Sequence, residues 1–385
     1  MVSTTAAVET QFAEQFREII KAEKSPVLRK LREDAFAAFS LSGFPTLRDE
    51  DWKYTNVAPI AKESWKASQF SSDVSPSGET SEEKLAAFNF RRNGFAALNL
   101  AFADFKVIRI AKETSVTEPI ELSFAAGENT AIFPHILIIV ETGSKATIVE
   151  SYSSEAKGFT NAAVQIVVED NANLTHYRVQ RDAPDAFNVG TTEASLGAGS
   201  RYDSTNINLG AELSRHDIDL KFTAEGGEAF VDGLYMLNGS QHHDTHSIID
   251  HTVPNCTSHQ TYKGVLNDHS RGVFNGKVFV RENAHGTDAQ QSNKNLLLSN
   301  DARVDTKPQL EIYNDDVKCS HGATVGQLEE EELFYLLTRG LPQTLAKNLL
   351  TYGFAEEIIN KIKIESIKKE LDQAVLHRLN TELEA

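Results

Sequence analysis

Gly143-Ser144-Lys145-Ala146, Asn171-Ala172-Asn173-Leu174, Gly199-Ser200-Arg201-Tyr202 and Gly227-Glu228-Ala229-Phe230 stand 28 residues apart, and Ser115 stands 28 before the first of them. Each turn-forming stretch is preceded by an apolar or alternating run and followed by another. Examples are Lys106-Val107-Ile108-Arg109-Ile110, the run Ile136 to Val140, Val164 to Val168, and Asp217-Ile218-Asp219-Leu220-Lys221-Phe222. Their period is two, that of strands, and no helical pattern intervenes, which disfavours a doubly wound α/β sheet. Gly, Asn and Ser are common in turns, so chance spacing is the competing reading. Four equal steps flanked by strands weigh against it. A fixed step of strand, turn and strand belongs to a solenoid, whose units cannot bury an apolar face alone and must stack. The sequence therefore predicts a mainly β fold with a parallel-type β-helix core of roughly seven steps, right-handed by the usual crossover rule. Asp268 and Asp301 are read as continuing the series at longer spacings of 41 and 33, as though loops were inserted.

Outside this core, over 90–328, the period changes to that of helices. In 1–63, Phe12, Phe16, Ile19 and Ile20 recur at spacings of three and four, and Leu28, Leu31, Ala35 and Phe39 repeat the pattern after Pro26. Residues 64–89 read as a mobile linker, rich in Ser, Asp, Glu and Pro and containing Ser75-Pro76-Ser77-Gly78. Residues 329–385 form a C-terminal helical region with three apolar stripes, the last running Ile359, Ile362, Ile367, Leu371, Val375 and Leu379. An open solenoid exposes strand edges at both ends, so these helices are well placed to cap it, to dock a partner, or both.

Composition narrows the class. The 38 Lys+Arg against 55 Asp+Glu give a formal charge of −17 with no compensating basic stripe, which excludes nucleic acid as an expected partner. Two cysteines, Cys256 and Cys319, are too few for a disulfide framework and suit a reducing compartment. No basic segment followed by an apolar stretch opens the chain, and its longest apolar run falls far short of the ~20 residues of a membrane helix. A soluble, cytoplasmic protein is expected.

Several motifs fail on inspection. Gly272-Val273-Phe274-Asn275-Gly276-Lys277 is one residue short of a phosphate loop, and Val278 replaces the magnesium-binding hydroxyl. Asp315 and Asp316 are adjacent and would point to opposite faces of a strand. The densest polar cluster holds His242, His243, His246, His251 and His259 with Asp244, Asp250 and Cys256. It reads either as hydrogen-bonding ladders in a sheet or as a metal site. In Lys318-Cys319-Ser320-His321-Gly322, an extended backbone would put Cys319 and His321 on one face. Thiolate and imidazole suit iron or zinc. Iron–sulfur clusters want about four ligands, however, so the pair is either inert or completed by another subunit. Residue chemistry alone favours the inert reading.

The run from Arg303 to Leu328, through Glu311-Ile312-Tyr313-Asn314-Asp315-Asp316-Val317-Lys318-Cys319-Ser320-His321-Gly322-Ala323-Thr324, closely resembles the SufD family. Tyr262-Lys263-Gly264-Val265, Gly272 to Gly276, Asn295-Leu296-Leu297-Leu298-Ser299, Phe334-Tyr335-Leu336 and Arg339-Gly340 resemble it too, as does Glu50-Asp51-Trp52-Lys53-Tyr54-Thr55. The paralogous SufB typically reads E-H-E-A-T where this chain has Lys318 to Thr324, and it carries a sulfur-accepting cysteine that is absent here. The resemblance implies a non-catalytic scaffold subunit of the SufBCD complex, with a β-helix between helical regions. It implies a heterodimer with SufB, binding of the SufC ATPase through the C-terminal helices, and a transient iron–sulfur cluster at the SufB junction, none being held stably by this chain alone. It makes His321 a candidate ligand or proton-handling group there, with Cys319 beside it in a less settled role. Self-pairing of the isolated chain is a further expectation from the open edge. Two rival readings are a β-helical carbohydrate-active enzyme, which needs carboxylates and bases converging in a groove, and a homodimeric metal-binding protein using the histidine cluster.

Overall fold

Glycine and asparagine recur at one corner of the molecule because the backbone there is left-handed, which other residues adopt only at a cost. The computed structural model describes residues 4–68 and 82–378. In it Glu113, Gly143, Asn171, Gly199, Gly226, Asn255 and Gly286 all have φ between 55° and 74°. Each donates its N–H to the next coil: Gly143 to the Asp170 carbonyl (3.0 Å), Asn171 to Ala198 (2.7 Å), Asn255 to His285 (2.8 Å) and Gly286 to Asp316 (2.8 Å). The turn series thus continues through Asn255 and Gly286. Asp268, expected to continue it, lies instead at the opposite corner, with Ala211 and Gly239, where φ is again positive. Asp301 sits at that corner too, in the bend after Leu297 where Ser299 bonds the Asp268 carbonyl. Both corners demand the same residue types, so the pattern slipped from one to the other.

Between the corners run two parallel sheets, of ten and eight strands. Register steps are 28 where the repeat is clearest, as in Lys145↔Asn173 and Arg201↔Asn173, and lengthen to 31 at Thr257↔Asp288. The result is a β-solenoid of about eight coils, one more than expected, with helices at both chain ends. Ile136, Ile138, Val140, Ile148, Val164 and Ile166 fill its first coils from both sheets.

The N-terminal helices cover the outer face of the first, ten-stranded sheet. Ser25 accepts from the Leu28 N–H (3.2 Å) and Pro26 follows at the first helical position, a strong start for the helix Pro26–Ser42. Its buried Leu31, Ala35 and Phe39 join Phe12, Trp52 and Phe95 against Phe133, Phe159 and Phe187. Of the expected linker, 69–81 lies outside the described residues, as does Leu379. Its flanks are built into the fold. Lys66–Ser68 pairs with Thr130–Ile132, because neighbouring Trp65 is buried against Phe159 and Phe187. Glu82–Ala86 is a short helix around buried Leu85.

The helices Gln343–Ile359 and Glu365–Arg378 do not cap the end of the rod. They lie on the outer face of the second sheet, where Ala355, Ile358, Ile359, Leu371 and Val375 cover Val179, Ile207, Leu234, Met236 and Val265. Those strand positions point outward yet are apolar, and each such side chain removed from water contributes about 1.5–3 kcal/mol, which draws the helices onto the face. The last coil, Arg303–Ile312 and Val317–Gly326, pairs on one side only.

Candidate functional site

The open coil holds the residues that the sequence singles out. Val317–Gly326 is extended, and its register partners are Cys319↔Ala289, His321↔Gln291, Ala323↔Asn293 and Val325↔Asn295. Those partners are buried side chains of the solenoid interior, so Cys319 and His321 share the inward face of the final strand, over the mouth of the rod. Cys319 is half-buried and packs on the core, and burial pushes its thiol pKa upward. The thiol therefore stays neutral until a cation or metal arrives to favour the thiolate. His321 is exposed. Added Cβ atoms at Gly322 and Gly326 would meet nothing within 4 Å, so the edge is open to approach.

Behind the mouth the interior turns polar. Glu150 bonds His176 (2.8 Å), which also meets the Tyr202 hydroxyl (2.9 Å). Arg178 donates to Asn188 (2.8 Å), and Asn188 to Asp182 (2.8 Å). His216 bonds Thr192 (2.9 Å), and His243 sits between Ser214 (2.8 Å) and Thr245 (2.9 Å). Nearest the mouth, Gln291 donates to Gln260 (2.7 Å) and Asn295 to Asn293 (2.7 Å). Sequence reasoning offered hydrogen-bonding ladders for the cluster that holds His243 and His251 but missed the rest of this file. One trace of it is the alternation in Asn173–Gln180, where His176, Arg178 and Gln180 point inward while Tyr177 and Val179 face the C-terminal helices.

The five histidines of the polar cluster do not converge. His243 and His251 face the interior, where His251 bonds Ser258 (2.8 Å). His242 and His246 face outward beneath the N-terminal region, and His259 lies on the second sheet against Phe230 and near Asp288 (3.5 Å). Burial lowers the pKa of His242 and His251 to about 4 and of His243 to about 3, so these rings stay neutral. Among the described residues no three His, Cys, Asp or Glu side chains gather as a metal site.

The outward pair belongs to a dock for Glu50 to Thr55. Thr55 bonds His242 (2.9 Å) and donates to Asp244, and the Arg215 guanidinium lies 3.7 Å from the Trp52 ring. Arg215 also bonds the Asp51 carbonyl (2.6 Å), Asp244 (2.7 Å) and Asp217 (2.9 Å). Carboxylates and bases meet densely here: Arg215, Asp217 and Asp244 are buried, and Arg215 and Asp217 line a small cavity of about 190 Å³ with Arg92, Asp219 and His246.

Comparison with known proteins follows the same lines. Residues 123–354, more than half of the chain, match the family described as SUF system FeS cluster assembly, SufBD core domain, and residues 6–80 match the SufBD protein N-terminal region. The chain is 40% identical over 295 residues to an iron-sulfur cluster assembly SufBD family protein of Synechocystis, covering 73% of this chain and 65% of that one. It is 37% identical to the iron-sulfur cluster assembly protein SufD of Escherichia coli, over 66% of this chain and 61% of that one. A SufBD family protein of Mycobacterium leprae is 29% identical across 89% of this chain and 93% of its own length. The matches thus span less than two thirds of the first two relatives. No helix among the described residues is long and apolar enough to cross a membrane. With a parallel β-solenoid and both sequence regions matched, the chain belongs to the SufBD family of iron–sulfur cluster assembly proteins.

Proposed function

We propose that the open end of the rod is a subunit junction at which a nascent iron–sulfur cluster is built. A SufB-type sister pairs with the free edges of Arg303–Ile312 and Val317–Gly326, giving a heterodimer. The observation that carries this reading is the placement of Cys319 and His321 on the inward face of a strand paired on one side only. Unpaired strand edges are templates for another strand. A thiol and an imidazole suit iron, the cargo, yet supply only part of the roughly four ligands a cluster takes, and the sister supplies the rest. His321 acts as ligand or proton-handling group, with Cys319 in support.

The helix Glu330–Thr338 exposes Phe334, Tyr335 and Leu337, and Leu345 and Leu349 extend the patch onto the next helix. Exposed apolar surface of this kind marks a docking site, and a SufC-type ATPase is the partner assigned to it. ATP-driven movement of the helices is passed along the stacked coils to the junction. The chain is then a cytoplasmic scaffold without catalysis of its own. Replacing His321→Ala in the reconstituted complex tests the reading. Cluster assembly should fall about tenfold or more, as for lost ligands and their supports, with the complex still forming. Undiminished assembly would discard the role.

A further inference from the structure

We propose that Gln291 is a positioning residue for His321. Its side-chain oxygen accepts one imidazole N–H and so decides which ring nitrogen is left for the iron; the proposal rests on the reading of the open end given above. His321 and Gln291 are register partners on neighbouring parallel strands about 4.8 Å apart, and both side chains lie on the inward face. The Gln291 amide is buried, and its nitrogen is committed to the Gln260 oxygen at 2.7 Å. Gln260 in turn meets the Ser247 hydroxyl through both its amide nitrogen (2.9 Å) and its oxygen (3.1 Å), and reversing the Gln291 amide alone would set two oxygens against each other. The opposite atom, Gln291 Oε1, is buried with no hydrogen-bond partner. Buried acceptors are rarely left so, and His321 is the next side chain along the column toward the mouth.

Gly276 gives the second, independent sign. A Cβ there would lie 2.3 Å from the Gln291 amide nitrogen and 2.9 Å from its carbonyl carbon. Only glycine leaves room for the amide to lie across the interior. This accounts for one glycine of Gly272 to Lys277, which resembles a phosphate loop and lies inside the strand Arg271–Val280. A histidine that ligates a metal normally donates its other N–H to a fixed oxygen, which sets tautomer and ring orientation. Gln291 is built to be that oxygen once a partner covers the mouth.

The test uses the full chain with nitrogen-15 in its histidine rings, in complex with a SufB-type partner. The His321 signals are identified by their loss in His321→Ala. In the wild type one tautomer should exceed the other by about fivefold or more beyond the ratio of an exposed histidine, the effect of one hydrogen bond. Gln291→Met, similar in length but without the acceptor, should abolish that excess and weaken cobalt(II) binding by the complex about tenfold. Gln291→Glu, which keeps an oxygen, should retain the tautomer. If Gln291→Met fails to fold, Gly276→Ala, which displaces the amide while keeping it, gives the same readout. A wild-type tautomer ratio in whichever of these variants folds would overturn the proposal. A shifted ratio together with full cluster assembly by His321→Ala would leave the contact standing and remove the functional reading instead. Absence of any complex would remove the reading of the open end, and this proposal with it.

Discussion

Replacing Arg215→Met probes the dock that joins the N-terminal region to the solenoid. The guanidinium is 2% exposed and its partners Asp217 and Asp244 are 1% exposed. Methionine keeps much of the stem and loses the charge, along with the bond to the Asp51 carbonyl and the contact with Trp52. Two buried carboxylates would then lose their main cation. Asp217 retains Arg92 nearby, and Asp244 retains His246 (3.0 Å) and Thr55. Breaking one partner out of a buried pair costs about 3–5 kcal/mol, and the residual partners put this case at the lower end. The pH dependence supplies a second check. Burial pushes both carboxyls up, but the neighbouring His246 and Arg215 charges win and hold them below the ordinary range. A carboxyl depressed in the folded state contributes stability above its unfolded pKa of about 4 and loses it as pH falls. Wild type and variant should therefore differ most at neutral pH, and the gap should narrow progressively as pH falls below ~4, closing only once the depressed carboxyls take up protons. Urea unfolding at both pH values measures the gap, and hydrogen exchange of Glu50 to Thr55 should rise in the variant. A difference under about 1 kcal/mol at neutral pH would refute the argument, since it would mean that the uncompensated carboxylates are solvated after all.

Two further outcomes follow from single groups. Glu193 is pushed up to about 7, by burial first and then by Asp219, so its ionisation costs stability as pH rises from ~4.3 through ~7. Glu193→Gln should gain about 1–3 kcal/mol at pH 8 and nothing at pH 4, read by thermal unfolding at each pH, after discounting for the carboxyl's partial exposure. At the left-handed corner, Asn171 has φ 55°, so Asn171→Ala should cost about 1 kcal/mol while Asn171→Gly stays within about 0.5, again by thermal unfolding.

How far the sequence carried the fold depended on which signals are local. Left-handed turns need particular residues, so Gly143, Asn171 and Gly199 announced the coil directly. The same chemistry at the other corner, in Asp268, misled the series, because backbone conformation alone does not say which corner a turn occupies. The apolar stripes of the C-terminal helices were legible, but not their place on the side of the rod. That depends on Leu234 and Met236 facing outward while Gly233 and Tyr235 of the same strand face in, and alternation does not tell inside from outside. At the candidate site, the spacing of Cys319 and His321 put them on one face. The polar file beneath them depends on registers between strands about 30 residues apart, such as His321↔Gln291, which no local pattern encodes.

The covered strip on the second sheet has a consequence for how the chain is made. Val179, Ile207, Leu234, Met236 and Val265 emerge during synthesis well before Ala355, Ile358 and Leu371, which shield them. At translation rates of about 5–20 residues per second the strip waits several seconds for its cover. During that interval a nascent chain presents a greasy ribbon beside a growing sheet edge, and a chaperone or an early-arriving sister subunit has its best opportunity to bind.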